Sequence, residues 1–150
     1  MGHEASRLAT CPLCARLDDP TAALRVCELR ESVVFLHEHQ RYEGWCVLVL
    51  KDHAVHLAAL PMPRQVRLWE DVSQVASAIT RAFAPARINY ECLGNVVGHV
   101  HWHVIPRYTE PADPDPRATV WVRPAAERDC GVSVDRAAEL IGKLRGAGLG

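Results

Sequence analysis

The stretch that decides the fold is Gly98-His99-Val100-His101-Trp102-His103-Val104-Ile105-Pro106-Arg107. On a β-strand, successive side chains point to opposite faces, and residues two apart share a face ~6.6 Å apart along the axis. His99, His101 and His103 then line one face, while Val100, Trp102 and Val104 form the other and can pack on a core. A slip of one residue would bury all three imidazoles, so the alternation also specifies the register. Three alternating histidines are costly to assemble as a plain polar face. Two chemical uses remain open from the residues alone. His-x-His on a strand can chelate one metal ion, as in a zinc-dependent hydrolase. Alternatively, one neutral imidazole can act as a nucleophile, held in the required tautomer through its other nitrogen.

Outward from this strand, residues 87–93 read as a second strand, with Gly94 and Gly98 marking the loop between them. Further upstream, 24–30 and 32–37 read as two short strands joined by a turn near Arg30-Glu31, and 45–50 as a buried strand bounded by Gly44 and Lys51-Asp52. Pro61 and Pro63 break the chain before a long helix over 64–83. There Val66, Trp69, Val72, Val75, Ala76, Ile79 and Phe83 form one apolar stripe, and Pro85 ends the helix. Downstream, the acidic, proline-rich residues 109–116 read as an exposed loop and 119–123 as a short strand. A last helix at 134–145 starts after Ser133, with Val134, Ala137, Ala138, Ile141 and Leu144 on one side. Strands, a helix, strands and a terminal helix predict an α+β fold with an antiparallel sheet of about five strands.

The chain has 150 residues, of which 49% are hydrophobic and 23% charged, enough for one globular domain spanning 1–150. Seventeen basic residues against eighteen acidic ones give a net charge of -1, so no basic field exists for non-specific nucleic-acid binding. No stretch approaches the ~18–20 apolar residues of a membrane span, and residues 1–10 carry no apolar signal core. The expectation is a cytoplasmic protein, in which a Cys-x-x-Cys pair points to a metal or redox site before a disulfide, while Cys27, Cys46, Cys92 and Cys130 read as core or surface thiols.

His99-Val-His101-Trp-His103-Val-Ile matches the signature His-φ-His-φ-His-φ-φ, with φ hydrophobic, and so resembles the histidine-triad (HIT) family. Asn89, Leu93-Gly94-Asn95, Pro106-Arg107 and the 47–50 strand leading into Lys51-x-His53 extend the likeness over a core of about 11–108, leaving 109–150 as a C-terminal extension. The resemblance implies the HIT fold and hydrolysis or transfer at the α-phosphate of dinucleoside polyphosphates or nucleoside phosphoramidates. His101 would be the nucleophile, forming a nucleotidyl-histidine intermediate. His103 would contact phosphate oxygens and help manage the leaving group's proton. Asn89, Asn95 and the backbone around Gly98 would bind nucleotide or phosphate. The resemblance further implies a homodimer. Trp102 and the Leu-Gly-Asn-Val-Val loop look similar to bacterial members labelled diadenosine tetraphosphate hydrolases. One departure stands out: His37 occupies the place where many members carry a ribose-binding aspartate. A nucleotide-binding regulatory module with weak catalysis therefore stays open beside the enzyme.

Cys11-Pro-Leu-Cys14 has zinc-knuckle spacing, although a redox pair or two ordinary thiols share that spacing. Some HIT members, and the related galactose-1-phosphate uridylyltransferases, look similar here, completing such a pair with a distant histidine and the first histidine of the triad. The resemblance therefore implies one structural Zn2+ per chain on Cys11, Cys14, His53 and His99, with His56 the rival for His53. Arg107 reads either as a phosphate contact or as a structural ion pair. Trp45, Trp69 and Trp102 read as core or interface, with Trp121 unassigned.

Overall fold

A computed structural model describes residues 6–150, so half of the 1–10 stretch lies outside the described residues. Five strands, β1 (Arg25–Glu28), β2 (Ser32–Leu36), β3 (Cys46–Leu50), β4 (Arg87–Glu91) and β5 (His101–Arg107), form one antiparallel sheet in the order β1-β2-β3-β5-β4. The expected five-stranded α+β sheet is what forms. The triad strand is central, and His99 and Val100 enter just before its ladder begins.

β2 and β3 are buried on both faces, which explains their continuous apolar runs. On one face, Val34, Leu36, Cys46, Leu48 and Val104 pack against α2 (Met62–Phe83) and α4 (Val134–Leu144), with the short α3 (Ala125–Arg128) between these two helices in the chain. Burying each such aliphatic side chain contributes about 1.5–3 kcal/mol relative to exposure. On the other face, Leu17 of α1 (Pro12–Asp18) covers Val33, Phe35, Val47 and Val49. Beside them, Val120 closes over Tyr42, Trp45 and Ile105. His101 and His103 lie between these two covers.

Several boundaries differ from the expectation. α2 begins at Met62 and includes Pro63 in its first turn, where a missing N–H costs no helical hydrogen bond. Its stripe is rotated: Leu68 is buried, whereas Val66 and Trp69 are half exposed. Asp71, on the buried side, accepts from the Glu31 N–H at 2.9 Å and the Ser32 hydroxyl at 2.7 Å, closing the β1–β2 turn onto the helix. α4 follows its Ser133 cap, which accepts from the Arg136 N–H at 3.2 Å. It buries Leu140, while Val134 and Ala138 face outward.

The expected strand at 119–123 is a 3-10 turn over Val120–Val122. This short apolar run packs down onto the sheet face, so it has no ladder to join. The preceding loop over 109–116 is exposed as expected except at Asp113. Asp113 is fully buried and forms a bidentate pair with Arg107, at 2.7 and 3.1 Å. Among the described residues, no helix is long and apolar enough to cross a membrane.

Candidate active site and metal cluster

Cys11 is the N-cap of α1 and Pro12 lies in its first turn, so Cys11 and Cys14 present their sulfurs from the same end of the helix. His53 and His99 meet them: the four ligand atoms all lie within 4.8 Å of one another. The Cys11 and Cys14 Sγ atoms are 3.4 and 3.5 Å from His99 Nδ1, and Cys14 Sγ is 3.5 Å from His53 Nδ1. His99 Nε2–H donates to the Leu50 carbonyl at 2.8 Å, which commits that nitrogen and turns Nδ1 toward the sulfurs. Two thiols and two imidazoles in this arrangement form a donor set suited to a tetrahedral, borderline-soft cation. His56 is exposed and outside the cluster, so His53 is the histidine brought to the cysteines. His99 is fully buried, and its pKa is lowered chiefly by that burial.

His101 projects from the start of β5, opposite Val49 of β3. Its Nδ1–H donates to the His99 backbone oxygen at 2.6 Å. In the neutral ring, that bond places the lone pair on Nε2. The His103 ring lies edge-on to it, 5.3 Å between centroids.

His103 accepts a hydrogen bond at Nδ1 from the Trp45 indole N–H, at 3.2 Å. Trp45 lies just before β3, diagonally across the ladder from His103, and is fully buried. Its approach is set by Gly44, whose φ of 95° suits glycine and where a Cβ would come within 2.6 Å of the Phe83 ring. Gln40 braces the same loop, accepting from the Gly44 N–H and donating to the His37 and Trp45 carbonyls. Burial pushes His103 down to about 3, with the neighbouring His101 and His37 imidazoles adding to the effect. His103 is therefore neutral at physiological pH.

His37 stacks on Trp45, with ring centroids 3.9 Å apart and planes 5° from parallel. Its pKa is lowered, first by burial. Trp121 closes the other side, edge-on to both Trp45 (5.7 Å) and His103 (5.5 Å). The Trp121 indole N–H donates to Glu91, which faces His103 across the β4–β5 ladder. Arg128 lies 5.2 Å from the Trp121 ring centroid.

The remaining expected residues lie on two sides of the histidines. Asn89 is on the triad face of β4, opposite Ile105, and accepts from Arg107 at 2.8 Å. Arg107 is a structural ion pair and not a phosphate contact, since Asp113, Asn89 and the Ala118 and Asp115 carbonyls take its guanidinium. Asn95 and Gly98 are exposed in the loop before the triad, where Gly94 adopts φ 69°.

Sequence reasoning missed Trp45 and Trp121 as site residues. The available signal was the Trp45-x-Val47 alternation, which puts the indole on the triad face once β3 is paired with β5. Trp121 carried no such signal, because its contact depends on the fold of residues 109–122.

The sequence pattern of the HIT domain family matches residues 21–110, more than half of the chain. An uncharacterized HIT-like protein, MG132 of Mycoplasma genitalium, is 22% identical over 110 residues, covering 70% of this chain and 78% of that protein. Among solved structures, a histidine triad protein from Sinorhizobium meliloti 1021 superposes with a TM-score of 0.74 at 22% identity, covering 83% of this chain and 88% of that one. A Zn-bound histidine triad family protein from Mycobacterium smegmatis superposes with a TM-score of 0.67 at 20% identity, covering 91% and 94%. These neighbours share the fold of the present chain, and the match over residues 21–110 shows that it belongs to the HIT family.

Proposed function

We propose that the protein is a nucleotide hydrolase or transferase that attacks the α-phosphate of its substrate with His101. The observation that carries this reading is the 2.6 Å bond from His101 Nδ1–H to the His99 carbonyl, which dedicates Nε2 to nucleophilic attack. The Nε2 lone pair forms an N–P bond as the bond to the leaving group breaks, and the leaving group takes the bonding pair. The resulting phosphoimidazolium keeps its Nδ1–H on the His99 oxygen. Water or another acceptor then attacks phosphorus and returns the electron pair to Nε2. His103 would bind phosphate oxygens, with backbone N–H groups around Gly98 and the Asn95 side chain adding donors. Asn89 is our remaining candidate for a nucleotide contact.

Dinucleoside polyphosphates and nucleoside phosphoramidates are the substrate classes proposed. Cys11, Cys14, His53 and His99 would hold one zinc ion, supplying a cross-link between the N-terminal segment and the triad strand. The Zn-bound relative from Mycobacterium smegmatis supports that choice of metal. A zinc hydrolase using the whole triad as ligands is disfavoured, because His99 faces the cysteines while His101 Nδ1 is committed to a carbonyl.

We further propose a homodimer through the β4 edge. Trp69 and Tyr90 are half exposed there, with ring centroids 5.8 Å apart, and Trp69 also meets Trp102. Cys27, Cys46, Cys92 and Cys130, none of them paired with another cysteine, fit a cytoplasmic location.

A panel of dinucleoside polyphosphates and adenosine phosphoramidates, assayed with wild type and His101→Asn, tests the function. Turnover in wild type with loss of at least about a thousandfold in the variant is expected. Equal turnover by both proteins would refute the reading, as would wild-type inactivity on every substrate, which would favour a regulatory module.

A further inference from the structure

The bond between Trp45 and His103 constrains the chemistry beyond simple packing. An indole N–H can donate but cannot accept. His103 Nδ1, 3.2 Å away, must therefore present its lone pair, and the single ring proton of the neutral imidazole lies on Nε2. The indole has little freedom to turn away. His37 lies parallel to it at 3.9 Å, Tyr42 and Trp121 meet it edge-on, and the residue is fully buried. Leaving a buried indole N–H without an acceptor would cost about 1–3 kcal/mol, so both partners favour the same arrangement.

We propose that Trp45 is a positioning residue that holds His103 as the neutral Nε2–H tautomer, making His103 a fixed hydrogen-bond donor to the phosphate and not a proton-transferring acid. The catalytic half of this inference rests on His101 being the nucleophile; the tautomer itself does not.

The chemical consequence concerns the leaving group. A second proton on His103 would go on Nδ1, pointing at the indole N–H, so that two donors would oppose each other. The titratable groups around it are His101 on its own strand, His37 with its ring centroid 5.9 Å away, and Glu91 across the ladder, with Arg128 behind Trp121. Glu91, the one carboxylate of that set, is engaged by Trp121. A neutral His103 that gave up its Nε2 proton would become an imidazolate, so that proton stays in place. The departing group then leaves phosphorus with the bonding pair and takes any proton it needs from water. Such a site selects groups that are stable as anions. It favours substrates whose α-phosphate is joined through an anhydride oxygen to further phosphate over those joined to a strongly basic amine or alkoxide.

The test uses the full-length, zinc-loaded protein labelled with 15N at histidine and tryptophan. The His103 signals are assigned by their loss in His103→Gln. Long-range 1H–15N spectra of wild type should show His103 protonated at Nε2 only, unchanged between pH 8 and 5. A 15N–15N coupling through the hydrogen bond should connect Trp45 Nε1 to His103 Nδ1. Trp45→Phe, which keeps an aromatic ring but removes the donor, should give mixed tautomers and a His103 that titrates within that range. It should also lower kcat for an anhydride substrate about ten- to a hundredfold with little change in KM.

A proton on Nδ1 in wild type would overturn the proposal, as would the absence of the coupling or an unaltered tautomer in Trp45→Phe. Should that variant fail to fold, the wild-type tautomer and coupling still decide the matter. Both are read without substrate, so a failure of His101 chemistry would remain distinguishable from a failure of the tautomer assignment.

Discussion

His101 Nδ1–H donates to the backbone oxygen of His99 across 2.6 Å, so the residue whose ring faces the cysteines also sets the tautomer of the residue two positions on. The candidate metal cluster and the proposed nucleophile thus meet in one short peptide segment. Whatever loosens the Cys11–Cys14–His53–His99 cluster should disturb His101 as well.

Removal of the metal should therefore act twice. Elemental analysis should find about one zinc per chain in wild type and none in Cys14→Ser, which should also melt at least about 10 °C lower, since a structural metal contributes folding free energy directly. Its residual activity should fall mainly in kcat. Retention of stoichiometric zinc by Cys14→Ser would remove this cluster from consideration.

Acid should destabilise the protein through His103. Its folded pKa of about 3 lies below the ordinary value of ~6.5, because of burial and then the adjacent His101 and His37. As pH falls, the unfolded chain takes up the extra proton first. The stability His103 contributes is complete above pH ~6.5 and is lost progressively as pH drops toward 3, by at most about 1.4 kcal/mol per pH unit. His37 shifts in the same direction and adds to the slope. Urea midpoints measured from pH 7 to 4.5 should fall in wild type and fall less steeply in His103→Gln. Parallel curves would show that His103 is not the responsible group.

The Arg107–Asp113 pair is nearly solvent-free, with Arg107 also filled by Asn89 and two carbonyls. Deleting one partner leaves a buried, unpaired charge. Asp113→Ala should cost about 3–5 kcal/mol by denaturant titration. It should also expose residues 109–122 to limited proteolysis, because their anchor to β5 is gone. A loss under about 1 kcal/mol would show that the pair contributes little.

The aromatic patch at Trp69 and Tyr90 gives a separate prediction. Trp69→Glu should leave the fold intact, since the ring is half exposed, while shifting the protein from dimer to monomer by light scattering. An unchanged mass would locate any dimer elsewhere on the surface.

Much of this arrangement could be read in the sequence because it depends on local periodicity. The alternation from His99 to Val104 sets which residues face the core, and Cys11-x-x-Cys14 places two sulfurs on one turn. Long-range pairing was less accessible. The indole of Trp45 reaches His103 only because β3 lies beside β5, and Trp121 reaches both only because Arg107 and Asp113 hold the intervening loop down. Val66 and Trp69 matched the helical period of α2, but the stripe around Leu68 and Asp71 is the one the sheet covers. Period alone leaves that rotation undetermined when apolar residues extend around the helix. Residues 119–123 looked like a strand for a related reason: their apolar character fits any buried extended segment, with or without a ladder.

The most direct measurement for the central claim is capture of the covalent intermediate. The protein is mixed with a substrate labelled at the α-phosphate, quenched within milliseconds at alkaline pH, where phosphohistidine survives, and analysed by mass spectrometry. A nucleotidyl adduct is expected on His101, absent from His101→Asn and present in His99 and His103 variants that remain folded. An adduct on a different residue, or normal turnover by His101→Asn, would contradict it.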